Sequence, residues 1–318
     1  MAWTTTEFLT TLKRNVTVPS NQIRFTDADL LSMADEQMLN FMLPLITSIR
    51  QEFFVRMDNV ALAAGQAEYK VPYRSVGRNL REIKVADSAT SPSVIYPLIF
   101  ISPEDTQKFL FNNQTGDARG YTMRGDNIVI LPTPATGTSQ VLQLYYELAP
   151  SRLVEASATG VVSSIASGAV TMAGAVTGFA TGDVMDLVDY KSGNTAIAID
   201  ITNTDVTGAV VTFAVADLPA APNALKAGDY VCLANQTPVL QIPNEAFFVL
   251  VQAVSSKVLE AQGDFEGMNA ANTMLKKNSE DLERVLTPRV EADVPTIINQ
   301  NGLIKNRMKR NWLSRYRL

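Results

Sequence analysis

The sequence predicts an α+β protein: a helical core built from N-terminal helices and one long helix near the C-terminus, a β-rich block, an inserted small β-barrel or sandwich module, and an extended basic tail. Three observations predict it. Helix-capping signals followed by apolar residues at spacings of three and four dominate before residue 54 and after residue 243. Between them, short alternating or apolar runs are separated by glycine, proline and asparagine, as strands are. Residues 301–318 hold Lys305, Arg307, Lys309, Arg310, Arg315 and Arg317 and no acid. Removing these six positive charges from the formal net of −5 leaves −11 for residues 1–300, an acidic body with a basic arm.

Thr4-Thr5-Thr6-Glu7 has the form of a capping box, and Phe8, Leu9 and Leu12 give a short helix its apolar face before Pro19. Thr26 is the next N-cap, with Asp27 and Asp29 at the positive end of the helix dipole. Leu31, Ala34, Met38, Phe41, Leu45, Ile49 and Phe53 then mark one helical face. Pro44 lies inside that pattern, and a proline costs about 3 kcal/mol in a helix interior, so a kink or break is expected near Leu43. From 54 to 150, residues 67–72, 80–87, 128–132 and 141–150 read as strands. Ser102-Pro103-Glu104-Asp105, leading to Phe109 and Leu110, reads as one short helix. Arg124-Gly125-Asp126 spells a tripeptide that some adhesion receptors read. The flanking strands require a Gly-Asp-Asn turn there in any case, and the turn is the reading adopted.

Residues 154–236 are rich in Ala, Val, Thr and Gly and read as many short strands, with Gly182-Asp183 and Gly228-Asp229 recurring before apolar runs. The segment reads as an insertion, because the helix that packs on the N-terminal helices follows it. Asp183, Asp186, Asp189, Asp200 and Asp205 could ligate calcium, but without a regular loop spacing they are read as turn and surface residues. Pro243-Asn244-Glu245 opens the longest helix, which Thr287-Pro288 stops. About forty residues at 1.5 Å each make a rod of roughly 60 Å, too long for one small core. Phe247, Val251, Val254, Val258, Phe265, Met268 and Leu275 are therefore expected to form a subunit–subunit face. Glu280, Asp281 and Glu283 spread around more than one face and read as solvated surface. The expected divisions are 1–153, 154–236, 237–288 and 289–318.

The chain has no histidine, which excludes Ser-His-Asp and Cys-His catalysis and histidine metal sites. The single Cys232 excludes an intramolecular disulfide framework. Neither phosphate-cradling glycine pattern occurs. No catalytic residue, cofactor or metal is expected. No apolar run approaches the roughly 18 residues of a membrane span, and residues 1–14 lack a signal-peptide pattern, so the protein is expected to stay in the cytoplasm where it is made.

Capped helices come first, then a strand block holding "GDNIVILPTPATGTSQVLQLYYELAP", then "TPVLQIPNEAFFVLVQAVSSKVLEAQGDFEGMNAANTMLKKNSEDLERVL", then the basic tail. That order resembles the head-to-tail adaptor (connector) proteins of tailed bacteriophages, most of all in the "ILPTP…LQLYYELAP" hairpin, the "QIPNEAFFVLV" helix start and "QGDFEGMNAANTMLKK". The resemblance implies a structural virion protein of the neck, forming a ring of twelve copies between the portal protein and a downstream neck or tail protein. Genomic DNA would pass through the channel without sequence-specific binding. It also implies that C-terminal arms reach into the portal, which gives the tail its role: Leu303, Ile304, Lys305, Arg307, Met308, Lys309, Arg310, Trp312, Leu313, Arg315, Tyr316 and Arg317 would be docking residues. The β-rich insertion departs from the minimal helical adaptors. Nucleic-acid binding by the basic, aromatic tail is the rival reading, and the acidic body weighs against it. A tail-associated carboxylate hydrolase is a third, and it would need two acids converging in a cleft.

Overall fold

The structure, a computed structural model, describes residues 2–16, 25–89, 91–106, 115–135, 140–191, 196–220 and 223–287. Helices begin where the capping boxes close. The Thr4 hydroxyl accepts from the Glu7 N–H while the Glu7 carboxylate accepts from the Thr4 N–H, starting α1 (Thr5–Asn15). Thr26 and Asp29 do the same for α2 (Asp27–Gln37). α2 passes through one π turn (Met38–Met42) into α3 (Leu43–Ile49). Pro44 explains the wide turn: it has no N–H for the Asn40 carbonyl, and the Leu43 N–H reaches back to the Met38 carbonyl instead. The wide turn also moves the buried face by one residue. Met42 and Ile46 are enclosed, whereas Phe41, Leu45 and Ile49 lie at the margin.

The β-rich block holds β1 (Val55–Ala61), β2 (Glu68–Lys70), β3 (Ser75–Ala86), β4 (Ile95–Pro97), β5 (Ile99–Phe100), β6 (Thr115–Gly116), β7 (Gly120–Arg124), β8 (Asn127–Leu131), β9 (Thr133–Pro134) and β10 (Val141–Leu148). One sheet runs β1-β10-β3-β4 and a second β2-β8-β7-β5, enclosing Ile83, Val85, Ile128, Ile130, Leu142 and Leu144. Arg124 and Asn127 are register partners across a two-residue turn whose Gly125 has φ +59°, so the Arg-Gly-Asp stretch is a hairpin turn. The helix expected from Ser102 toward Leu110 lies mostly outside the described residues.

β11 (Arg152–Leu153) leads into the insertion, whose strands β12 (Gly160–Ala166), β13 (Ala169–Met172), β14 (Val184–Val188), β15 (Ala196–Thr207), β16 (Val210–Phe213) and β17 (Tyr230–Leu233) close a barrel in the order β12-β13-β16-β15-β14-β17. Its centre is Val170, Met172, Met185, Leu187, Val211, Phe213 and Val231. The recurring Gly-Asp pairs are two copies of one turn. Gly182 and Gly228 have φ of +88° and +96°, and the Asp183 and Asp229 carboxylates accept from the N–H groups three residues earlier, at 2.7 and 2.6 Å. Each turn launches one of two paired strands, β14 and β17. The chain leaves along β18 (Gln236–Thr237), parallel to β11 with Arg152 opposite Gln236, so the two ends of the insertion are neighbours.

The single rod expected near the C-terminus is instead two helices, α4 (Phe247–Gln262) and α5 (Phe265–Leu286). Gly263 is the reason. It takes the left-handed conformation that ends helices (φ +83°), and the Asp264 N–H returns to the Leu259 carbonyl at 3.0 Å. The Asp264 carboxylate then caps α5 by accepting from the Gly267 N–H at 2.9 Å. α5 folds back along α4, tied by Gln252 donating to the Ala271 carbonyl (3.1 Å) and by the Ser256 hydroxyl donating to Asn272 (2.6 Å). Asn272 breaks the apolar pattern in the sequence because it is this cross-link.

Candidate assembly interfaces

α4 occupies the centre of the helical layer, packed on α1, α2 and α5. Phe247, Val251, Val254 and Val258, expected to meet another subunit, are fully enclosed by their own chain, and Trp3 stacks on Phe247 with ring centroids 4.1 Å apart. The correction follows from the break at Gly263, which supplies α4 with an internal partner. Trp3 itself was missed; its signal is an apolar residue immediately before an N-cap.

α5 packs mainly on α4. Ala271, Leu282 and Leu286 are buried on that side, with Met268 and Leu275 half-buried beside them. The two flanks of that buried stripe are apolar too: Phe265 on one, and Met274 with Val285, 11 residues apart and so nearly in line, on the other, exposed by 65%, 51% and 62% of their surfaces, while Lys276, Lys277, Glu280 and Glu283 occupy the outward face. Of the residues expected at the subunit face, Phe265 alone is substantially exposed. The helix ends at a fixed point, since the Leu286 carbonyl accepts from Arg50 Nε at 3.1 Å. The expected docking residues from Leu303 to Arg317 lie outside the described residues.

A second apolar exposure is on the β-rich block. Val94, just before β4, is followed by Ile95 on β4 and by Ile99 and Phe100 on β5, and β4 and β5 are outer strands of the two sheets. No charged residue occurs between Asp87 and Glu104. Open, uncharged edges of this kind favour pairing with another chain.

Polar groups hold the barrel's neck. Arg74, from the link between β2 and β3, donates to Asp186 of β14 at 2.7 Å and to the Ser151 hydroxyl at 2.6 Å. Both charged groups are buried, and Asp186 also accepts from the Asp200 and Asn235 N–H groups, each at 3.0 Å. Burial pushes the Asp186 carboxyl up and the Arg74 guanidinium draws it back down. Asp35 of α2 accepts from the Leu153 N–H at 2.8 Å, and burial raises its carboxyl to about 6 against that hydrogen bond and the nearby Arg152. The Gln241 side chain accepts from the Ser151 N–H at 2.7 Å. Asp186 and Asp200 sit together beside Arg74, whereas Asp183, Asp189 and Asp205 belong to separate turns and contacts. Among the described residues no group of three or more His, Cys, Asp or Glu side chains is placed to hold a metal ion.

Among the described residues a helix edge and a sheet edge thus expose apolar side chains, and such surfaces are suited to protein partners. A family model described as SU10 adaptor protein matches residues 4–176, just over half of the chain. The chain belongs to the SU10 adaptor protein family. These are head–tail adaptors of phages, and the chain is accordingly a structural connector protein of a phage particle. The adaptor match spans α1 to α3 and the whole β-rich block and ends at Val176, inside the barrel. No curated protein matches the chain. No helix among the adaptor's described residues is long and apolar enough to cross a membrane.

Proposed function

We propose that copies of this adaptor close into a ring, twelve-fold as its resemblance to other adaptors implies, between the portal protein and the next neck or tail component, with DNA passing through the lumen without sequence-specific recognition. The segment 301–318 is the portal-docking arm, its cations drawn to an acidic surface and Leu303, Ile304, Met308, Trp312 and Leu313 acting as anchors. Assembly takes place in the host cytoplasm and the product resides in the virion neck.

The observation that carries the ring is the one-sided partnering of α5. α4 lies between α2 and α5, so the helical layer has two different edges, and a contact between unlike edges of successive copies generates a ring when the rotation between copies closes. One edge offers Met274 and Val285 with the nearby Lys277 on α5, while Phe265 lies on the helix's other flank at its start. On the other, α2, the π turn and α3 carry exposed Leu39, half-buried Phe41, Leu45 and Ile49, and acids without a single Lys or Arg from 27 to 49. Apolar ridge meets apolar ridge, and lysine meets carboxylate.

Native mass spectrometry of the full chain mixed with purified portal tests both contacts. The expected product is a ring of adaptor copies on the portal. Met274→Glu with Val285→Glu removes the ring from a chain that still folds, and deletion of residues 302–318 removes portal joining. A truncated protein that still joins the portal and loses only DNA retention in a gel shift overturns the docking arm in favour of nucleic-acid binding.

A further inference from the structure

The barrel joins the rest of the chain in two unlike ways. At the neck the attachment is deep: β11 pairs with β18, Arg74 is buried against Asp186 and Ser151, and Ala2 and Val239 pack on Val188 and Cys232 of the barrel. Away from the neck it is slight. Among the described residues the apolar core of the β-rich block and that of the barrel are separate clusters. Between them lie two clefts of about 510 and 450 Å³, each lined by residues of both units. Among the described residues the polar contacts across this gap are the Tyr73 hydroxyl donating to the Asp200 carboxylate at 2.5 Å, Arg56 Nη1 donating to the Ala196 carbonyl at 3.2 Å, and, where the gap meets the neck, Arg74 Nη1 lying 3.9 Å from the Asp200 carboxylate. Tyr73 is 55% exposed. Asp200 is held at φ +56°, a conformation that non-glycine residues adopt at a cost, and there its N–H serves Asp186 in the barrel while its carboxylate meets Tyr73 across the gap.

We propose that the barrel is a hinged element: it swings on the β11–β18 neck, and Tyr73–Asp200 and Arg56–Ala196 are the catch that fixes its angle to the β-rich block. An apolar seam would resist opening, because water gains nothing from the exposed surface. Half-exposed hydrogen bonds exchange their partners for water at small net cost, so this gap opens without disturbing either core. The neck keeps its buried ion pair and apolar contacts throughout, since they lie at the pivot. A two-position barrel gives the connector a movable surface while the helical layer stays fixed.

Pulsed electron paramagnetic resonance on the full chain tests this, with nitroxide labels at Asn59→Cys on β1 and Thr202→Cys on β15, both at exposed positions. Cys232 is buried and stays unlabelled. The expected result is a main distance with a minor open population, which Tyr73→Phe combined with Arg56→Met enlarges by about ten-fold while the thermal transition of the protein is retained. One narrow distance common to both proteins overturns the proposal, because the barrel and block are then a single body. Broadening accompanied by loss of the cooperative transition overturns it too, since the two bonds would then hold the fold and not an angle.

Discussion

Replacing Arg74 with methionine should be among the most damaging single changes in this chain, and replacing Asp186 as well should repair most of the damage. Arg74→Met keeps the buried volume but leaves a fully buried carboxylate without its counter-charge. Breaking a buried pair from one side costs about 3–5 kcal/mol. The lower part of that range applies, because the Asp200 and Asn235 N–H groups still solvate the Asp186 carboxylate. Asp186→Asn takes the near carboxylate from a buried guanidinium whose Nε has no partner among the described residues, and should cost somewhat less, because Ser151 and the Asp200 carboxylate 3.9 Å away remain. In the double variant both charges are gone and the asparagine carbonyl still accepts an N–H, so a net loss of about 1–2 kcal/mol is expected, for one or two weakened hydrogen bonds. The coupling between the two sites is then at least about 3 kcal/mol, far above the few tenths typical of independent positions. A pH signature follows. Without Arg74 the Asp186 carboxyl is raised further by its burial, the folded state binds a proton that the unfolded state releases, and the deficit relative to wild type shrinks as pH falls toward the ordinary carboxylate range. Calorimetry of the four proteins between pH 4 and 8 measures all of this. Single costs below about 1 kcal/mol, or simple additivity, would refute the assignment of a buried, mutually dependent pair.

Four further outcomes are expected. Asp35→Asn keeps an acceptor for the Leu153 N–H and removes a carboxylate whose folded value near 6 lies above its unfolded one. Wild type should therefore lose stability relative to the variant as pH rises from about 4 to 6, by about 1–2 kcal/mol after allowance for partial exposure, and a difference that is flat with pH or of opposite sign in thermal melts sinks the argument. Gly263→Ala meets open space, so its cost is backbone strain alone, about 1 kcal/mol, seen as a lower melting temperature; an unchanged or raised value means that the hairpin turn does not need its left-handed residue. Exchanging residues 154–236 for a short Gly/Ser linker should leave the helical circular-dichroism signal intact, because Arg152 and Gln236 are register neighbours, and its loss would show that the barrel is needed for the rest to fold. In portal binding by surface plasmon resonance, Trp312→Ala should speed dissociation, whereas neutralising Lys309 and Arg310 should slow association and flatten its salt dependence; the reverse pattern rules out the division into anchors and steering charges.

The sequence displayed local features whose cause is local. Both capping boxes, the irregular turn at Pro44, the Gly125-Asp126 turn and the paired Gly-Asp turns of the barrel each depend on a few adjacent residues, so each was legible. The α+β class and the insertion followed from changes in apolar periodicity, and the family resemblance followed from the order of the pieces. What was not legible depends on partners distant in sequence. Arg74 and Asp186 are 112 positions apart and neither has a distinctive neighbourhood, so Asp186 read as one turn aspartate among several. The rod was misread because Val251, Val254 and Val258 continue into Phe265 and Met268 at nearly helical spacing, and one glycine in such a pattern does not by itself specify a reversal. The subunit face was accordingly placed on the side of α4 that α5 and the N-terminal helices cover.

That misreading bears directly on how the connector can work. A straight rod would have carried the C-terminal segment roughly 60 Å from the start of α4. The hairpin returns it to the helical layer, where Leu286 is buried and its carbonyl is fixed by Arg50 at the end of α3, five residues before β1. The basic arm therefore starts from a rigid point shared by the helical layer and the β-rich block. Residues 288–300 are thirteen in number and span at most about 45 Å when extended, which bounds where residue 301 can lie in each copy. In a ring, those origins form a circle of fixed radius, and arms of bounded reach meet a portal surface at equivalent positions. Such an arrangement suits many individually modest contacts, since each arm that docks raises the effective concentration of the next. The break at Gly263 thus does more than shorten a helix: in the proposed ring it leaves one edge of α5 for the neighbouring copy and sets the point from which the arm would depart.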